Sequence, residues 1–241
     1  MAQPIIIDTD PGQDDAVALL LAFASPDLDV LGITTVAGNV PLDLTTRNAK
    51  VVCELAGRTD MAVYAGCDRP LRRGLITAEH VHGRTGLDGA DLPDPRMPTQ
   101  DLHAVDFILQ TLADAPIGTV TLCTLGPLTN IGAAIDRAPD IVKRAKAIVT
   151  MGGAYFEVGN ITPAAEFNIF VDPEAAALIA SLGVDWTILP LDVTHKTLAT
   201  PDWVAGLRAM GTKVGDTVAG WTDFFERFDV AKYGTSGTPL H

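Results

Sequence analysis

An apolar run, Ile5-Ile6-Ile7, leads directly into Asp8-Thr9-Asp10-Pro11-Gly12-Gln13-Asp14-Asp15, which packs four carboxylates into eight residues. Pro11 and Gly12 form turns, so the acids are expected to crowd one place where a buried strand gives way to a helix. Carboxylates that close repel one another unless protons, hydrogen-bond donors or a cation neutralise them. Hard cations such as calcium and magnesium take oxygen ligands of this kind. One or two aspartates here would serve to cap the helix and oppose its dipole; four exceed that need. The segment reads as a metal site at a strand end, where open α/β sheets bind their ligands.

The elements that must position this site alternate along the chain. The pattern predicts strands at residues 4–8, Val30–Val36, Met61–Tyr64, Thr119–Cys123, Ala147–Met151 and Trp186–Leu189, and helices at 13–24, 42–56, 102–113, 128–136 and 173–181. Residues 66–100 are rich in Gly, Pro, Asp, His and Arg with weak periodicity, the mark of a functional or mobile stretch. Residues 201–233 read as helical and carry Trp203, Trp221, Phe224, Phe225, Phe228 and Tyr233. This order predicts an α/β fold, a mostly parallel open sheet flanked by helices on both faces. No repeat or composition shift divides the chain, so residues 1–241 are expected to form a single domain.

Further candidates fall after predicted strands. Asn39 closes Val36-Ala37-Gly38-Asn39, Leu125-Gly126-Pro127-Leu128-Thr129-Asn130 follows another strand, and Met151-Gly152-Gly153 another. A doubly wound sheet gathers such ends along one rim. Asn160 and Glu166-Phe167-Asn168 combine amides with a carboxylate, a set that suits a polyol, whose hydroxyls each need donors and acceptors; alone they would read as a polar loop. His80-Val81-His82 lacks the further ligands of a zinc site. His195 reads as structural, and His241, at the end of Gly237-Thr238-Pro239-Leu240-His241, gives no signal by itself.

Composition narrows the partners. The 241 residues are 47% hydrophobic with mean hydropathy +0.24, enough for a large core, and carry a formal charge of −13. That balance argues against nucleic-acid polymers and anionic membranes and leaves uncharged or cationic small molecules. Cys53, Cys67 and Cys123 are odd in number and widely spaced, which suggests thiols in a reducing cytoplasm. The N-terminus lacks the basic region of a signal peptide, and no apolar run is long enough to span a bilayer.

The segments DTDPGQDDA, VAGN, HGRTGLDG, LGPLTN, MGGA, EFN, LDVTH and GTPLH together resemble the signatures of the calcium-dependent nucleoside hydrolases, the inosine-uridine preferring ribohydrolases, over nearly the whole chain. The resemblance implies a Rossmann-like nucleoside hydrolase fold and hydrolysis of the N-glycosidic bond of ribonucleosides to ribose and free base. It implies that Asp10, Asp15 and the carbonyl of Leu125 bind Ca2+, and that Asp10 activates a calcium-bound water. Asp14, Asn39, Met151, Asn160, Glu166 and Asn168 would surround the ribose. His82 and His241 would face the base, His241 as proton donor to the leaving group. It also implies a homo-oligomer, dimer or tetramer. Members of the family carry an aspartate directly after Pro-Leu-His and continue well beyond it. The sequence stops at His241, so the expected domain lacks the family's C-terminal part and one charged calcium ligand.

Two other readings accompany this one. A degenerate hydrolase could bind nucleoside or ribose without cleaving it. A magnesium-dependent phosphatase could use Asp8-Thr9-Asp10 as an aspartyl nucleophile motif with Lys196 on the phosphate, although Asp14-Asp15 and the EFN run have no place in it.

Overall fold

The computed structural model describes residues 2–233 and 237–240, the side chains of 229–233 excepted. Its centre is a six-stranded parallel sheet of β1 (Gln3–Thr9), β2 (Leu28–Thr35), β3 (Val63–Ala65), β4 (Thr121–Thr124), β5 (Ala147–Met151) and β6 (Trp186–Leu189). Their order is β3-β2-β1-β4-β5-β6. The connections carry α1 (Gln13–Ala24), α2 (Leu42–Leu55), α3 (Glu79–His82), α4 (Ala104–Asp114), α5 (Thr129–Arg137), α6 (Pro139–Val142), α7 (Phe167–Val171) and α8 (Pro173–Leu182). After β6 come α9 (Leu191–Thr194), β7 (Leu198–Ala199), α10 (Pro201–Ala209), α11 (Lys213–Tyr233) and β8 (Thr238–Pro239); β7 and β8 form a separate antiparallel pair.

The Ile5-Ile6-Ile7 run is apolar throughout because β1 is covered on both faces. Successive strand residues point to opposite sides. Ile6 joins Leu122, Ile148 and the buried faces of α4, α5 and α8 in one core. Ile5 and Ile7 join Ile33 and the buried faces of α1, α2 and α11 in the other, where Trp221 is fully buried. The strand order reverses at β1, with β2 on one side and β4 on the other. Connections diverge there and leave a crevice at the carboxyl ends, the place where such sheets bind ligands.

The predicted alternation holds, with boundary shifts of up to two residues at β2, β3, β4 and α4. The helical stretch 201–233 is divided into α10 and α11, with Gly211 at φ +60° between them. Residues 66–100 contain only the four-residue α3 as regular structure. The short α6, α7 and α9 and the β7–β8 pair went unforeseen, since elements of two to five residues are too short to show a period. No helix among the described residues is long and apolar enough to cross a membrane.

One buried carboxylate ties distant connections together behind the sheet's carboxyl rim. Asp172 Oδ1 accepts from Ala175 N at 3.0 Å and so caps α8, while Oδ2 accepts from Leu71 N at 2.9 Å and Thr129 Oγ1 at 2.7 Å. Asp172→Ala leaves all three donors without that acceptor and is expected to cost about 3 kcal/mol of stability. Urea unfolding followed by circular dichroism should show a lowered midpoint with an unchanged slope.

Candidate active site

The crevice between β1 and β4 opens into a cavity of about 670 Å³ whose walls include Asp10, Asp14, Asp15, Asn39, His82, Leu125, Met151, Asn160, Glu166 and Asn168. Every expected site residue among the described ones therefore faces one space; His241 lies outside the described residues.

The acidic floor is built by the turn after β1. Pro11 and Gly12 swing the chain into α1, and Asp15, at the third helical position, accepts from Gly12 N at 3.1 Å through Oδ2. The capping role weighed from sequence is thus real for Asp15, which also receives the Thr9 hydroxyl at 2.5 Å on Oδ1. Asp10 Oδ2 accepts from Asn39 N at 2.7 Å, and Asn39 Nδ2 donates to Asp10 O at 3.1 Å, so the turn after β2 holds the end of β1. Asp14 Oδ1 is sealed from solvent without a hydrogen-bond partner, 4.0 Å from His82 Nδ1.

Asp8 departs from the expected crowding. It sits on the Ile6 face of β1, where Oδ1 accepts from Thr34 Oγ1 at 2.5 Å and Asn130 Nδ2 at 2.7 Å. Burial pushes its carboxyl up to about 7. Asp8 braces β2 and α5 and does not line the cavity, and neither does Lys196, so the phosphatase reading loses both its nucleophile and its phosphate ligand.

The opposite wall comes from the connection after β5. Glu166 caps α7: its Oε1 accepts from Asn168 N at 2.8 Å, and its Oε2 from Gly153 N at 2.9 Å and Ile169 N at 3.1 Å. Asn168 Nδ2 donates to Leu125 O at 2.7 Å and contacts Met151 O at 3.3 Å, which joins the ends of β4 and β5. Asn160 Oδ1 accepts from Phe167 N at 2.8 Å, which closes the loop that carries both residues. The EFN run is a helix start whose capping groups double as cavity wall. Phe167 packs with Ala78 and Val171 and also borders the cavity.

Above the polar floor lies an aromatic roof. His82 faces Phe225 at 5.2 Å between ring centroids, and His80 meets Phe228 edge-on at 5.8 Å, bringing α3 against α11. The helical period of α11 does not distinguish Phe225 and Phe228 from its other aromatics, because it says nothing about which face meets residues far back in the chain. Sequence reading passed over Gln13, although that residue lies inside the opening motif.

Burial dominates the electrostatics. It pushes Asp14 up to about 6 and Asp15 up to about 7; Asp10 is pushed well above the usual carboxylate range by burial and by the charge on Asp15. Glu166 is also raised by burial, and the His82 imidazole is pushed down to about 4. Buried Asp10 and Asp15, with the largely covered Asp14 beside them, favour a cation that would return them to the ionised state. Among the described residues no three His, Cys, Asp or Glu side chains form a ready-made ligand cluster. The donors present are Asp10, Asp15 and backbone carbonyls such as that of Leu125, an all-oxygen set that fits a hard cation.

Asp10 has no room to move. A Cβ on Gly38 would lie 2.1 Å from Asp10 Oδ2, and one on Gly126 would lie 2.3 Å from Oδ1. Gly38→Ala and Gly126→Ala must each displace that carboxylate. A displacement near 1 Å is expected to lower kcat/KM about 100-fold in steady-state turnover, with the far-ultraviolet dichroism retained.

Known proteins share the sequence and fold of this chain over nearly its whole length. The family model described as inosine-uridine preferring nucleoside hydrolase matches residues 5–241. An uncharacterized protein of Schizosaccharomyces pombe is 54% identical over 237 residues, 98% of this chain and 76% of that protein. The pyrimidine-specific ribonucleoside hydrolase of Photobacterium profundum is 45% identical over 242 residues, 100% of this chain and 77% of its own. Among solved structures, a plant nucleoside hydrolase superimposes with TM-score 0.94 at 37% identity, covering 100% of this chain and 76% of that one. The purine-preferring ribonucleoside hydrolase from Gardnerella vaginalis gives TM-score 0.94 at 33% identity, covering 99% and 77%. The chain belongs to the inosine-uridine preferring nucleoside hydrolase family and is a hydrolase of N-glycosyl compounds that splits ribonucleosides into ribose and free base.

Proposed function

We propose that the chain cleaves pyrimidine ribonucleosides, with ribose on the acidic floor, the base under the aromatic roof and Ca2+ held by Asp10, Asp15 and the Leu125 carbonyl. The observation that carries this reading is the division of a single cavity into carboxylates and amides at the strand ends and aromatic rings on α3 and α11. A nucleoside has the same division. The pyrimidine preference is supported by the name of the 45% identical relative.

When bound, the cation supplies Lewis-acid activation and orientation of a water and of ribose hydroxyls. The residues of the chain do the rest. Asp10 Oδ2 is engaged by Asn39 N, which leaves Oδ1 to take the proton of the attacking water. As the water oxygen bonds to C1′, the C1′–N bond breaks and its electron pair leaves with the base. Asp14 and Glu166 oppose the positive charge that develops on the ribose ring, as in other glycosidic cleavages. Asn39, Asn160, Asn168 and Met151 border the sugar, His82 borders the base, and His241 is the candidate donor of the proton that the departing base requires.

The three cysteines are free, in keeping with a reducing cytoplasm. A homo-oligomer would give cover to Tyr155 and Phe156, which are 79% and 94% exposed beside the cavity loop.

Ribose release from uridine, cytidine, inosine and adenosine tests the reading. Release is expected to fall to background with a calcium chelator and to return with added Ca2+; binding of uridine without release would identify a binding protein instead. Asp10→Asn is expected to lower kcat by at least about 100-fold. Uridine 5′-monophosphate is expected to be a poor substrate, because its phosphate must approach buried carboxylates on a chain of net charge −13.

A further inference from the structure

Gln13 lies in the first turn of α1, next to Asp14, with its side chain directed at the loop that carries His82. Its Nε2 donates to two backbone carbonyls, His82 O at 2.9 Å and Asp88 O at 3.0 Å. Carbonyls only accept, so this pair of bonds orients the amide and leaves Oε1 facing His82 Nδ1 at 2.7 Å. An amide oxygen carries no proton. The proton in that bond therefore belongs to Nδ1. Asp14 Oδ1, 4.0 Å from the same nitrogen, favours a proton there as well.

A neutral imidazole carries one proton, so a ring protonated at Nδ1 has a bare Nε2. The ring has little freedom to reverse. A Cβ on Gly12 would lie 2.5 Å from Nδ1, Phe225 packs over the ring at 5.2 Å, and Gln13 and His82 are 3% and 6% exposed. With Nδ1 turned toward α1, the edge bearing Nε2 is the one left to the cavity that His82 lines.

We propose that Gln13 is a positioning residue that fixes His82 as its Nδ1–H tautomer and thereby presents Nε2 to the nucleobase as a hydrogen-bond acceptor. The base edge it meets must then donate, as the imide N–H of uracil or the amine of cytosine does. In this state His82 binds the base and does not supply the leaving-group proton. The same amide staples the loop through residues 82 and 88 to the helix that bears Asp14 and Asp15, so base wall and acidic floor share one anchor. The base contact rests on the nucleoside hydrolase reading; the tautomer does not.

The test is the ¹⁵N–¹H long-range correlation spectrum of the ligand-free protein near pH 7.5, with the His82 signals assigned by their loss in His82→Gln. The wild-type protein is expected to show a protonated Nδ1 and a bare Nε2. Gln13→Leu is expected to convert His82 to the other tautomer or to a mixture, and Gln13→Glu, which keeps an acceptor for Nδ1–H, is expected to retain the original one. A wild-type ring protonated at Nε2, or a Gln13→Leu spectrum unchanged from wild type, overturns the assignment. In turnover of uridine, loss of a single oriented hydrogen bond is expected to raise KM about tenfold in Gln13→Leu and to lower kcat less. An equal fall in kcat at constant KM overturns the base-contact role. Absence of ribose release from any nucleoside by the wild-type protein would sink the hydrolase reading and leave the spectrum to judge Gln13 separately.

Discussion

Burial of negative charge at the point where the strand order reverses is the constraint on which the rest of the site depends. Asp10, Asp14 and Asp15 are held in one small space away from bulk water, and each carboxyl is raised above its ordinary range by that burial. Such an arrangement is costly unless donors and a cation compensate it. The surrounding structure supplies the donors. Asn39 N donates to Asp10, and Asn39 Nδ2, Gly12 N and the Thr9 hydroxyl donate to Asp15, while Gly38 and Gly126 let the backbone approach Asp10 more closely than a side chain would permit.

The second organising feature is reuse. Groups that a helix start requires in any case are the groups the cavity presents. Asp15 satisfies Gly12 N at the start of α1, and Glu166 satisfies three backbone N–H groups around the start of α7. Capping fixes each side chain's direction at little extra conformational cost, which is what preorganisation of charge around a reacting sugar needs. Gln13 follows the same economy, since one amide both closes a loop and orients a ring.

Much of this was legible in the sequence. The alternation of apolar runs and amphipathic stretches specified a parallel sheet between two helical layers, and the Ile5–Ile7 run marked a strand buried on both faces. The polar residues after each strand specified where a site would form, because parallel strands bring their carboxyl ends to one rim. Other features were not legible. Asp8 and Asp10 have the same residue type two positions apart, yet one braces the interior and the other lines the cavity. Strand alternation alone would put both on one face; the turn at Pro11-Gly12 and the arrival of Asn130 from α5 separate them. Phe225 and Phe228 carry no local mark that distinguishes them from ordinary core residues of α11.

The amino-acid sequence by itself thus determined the fold class, the acidic turn, and the set of oxygen and amide donors available for a sugar and a hard cation. These follow from residue type and short-range spacing, through turn formation, capping and hydrophobic period. Only the tertiary structure decided which of these groups share a cavity, that aromatic rings from α3 and α11 close it, and which nitrogen of His82 meets Gln13. Those outcomes depend on contacts between residues far apart in the chain, such as Gln13 with His82 and His82 with Phe225, and on the rotamers that packing leaves open to them.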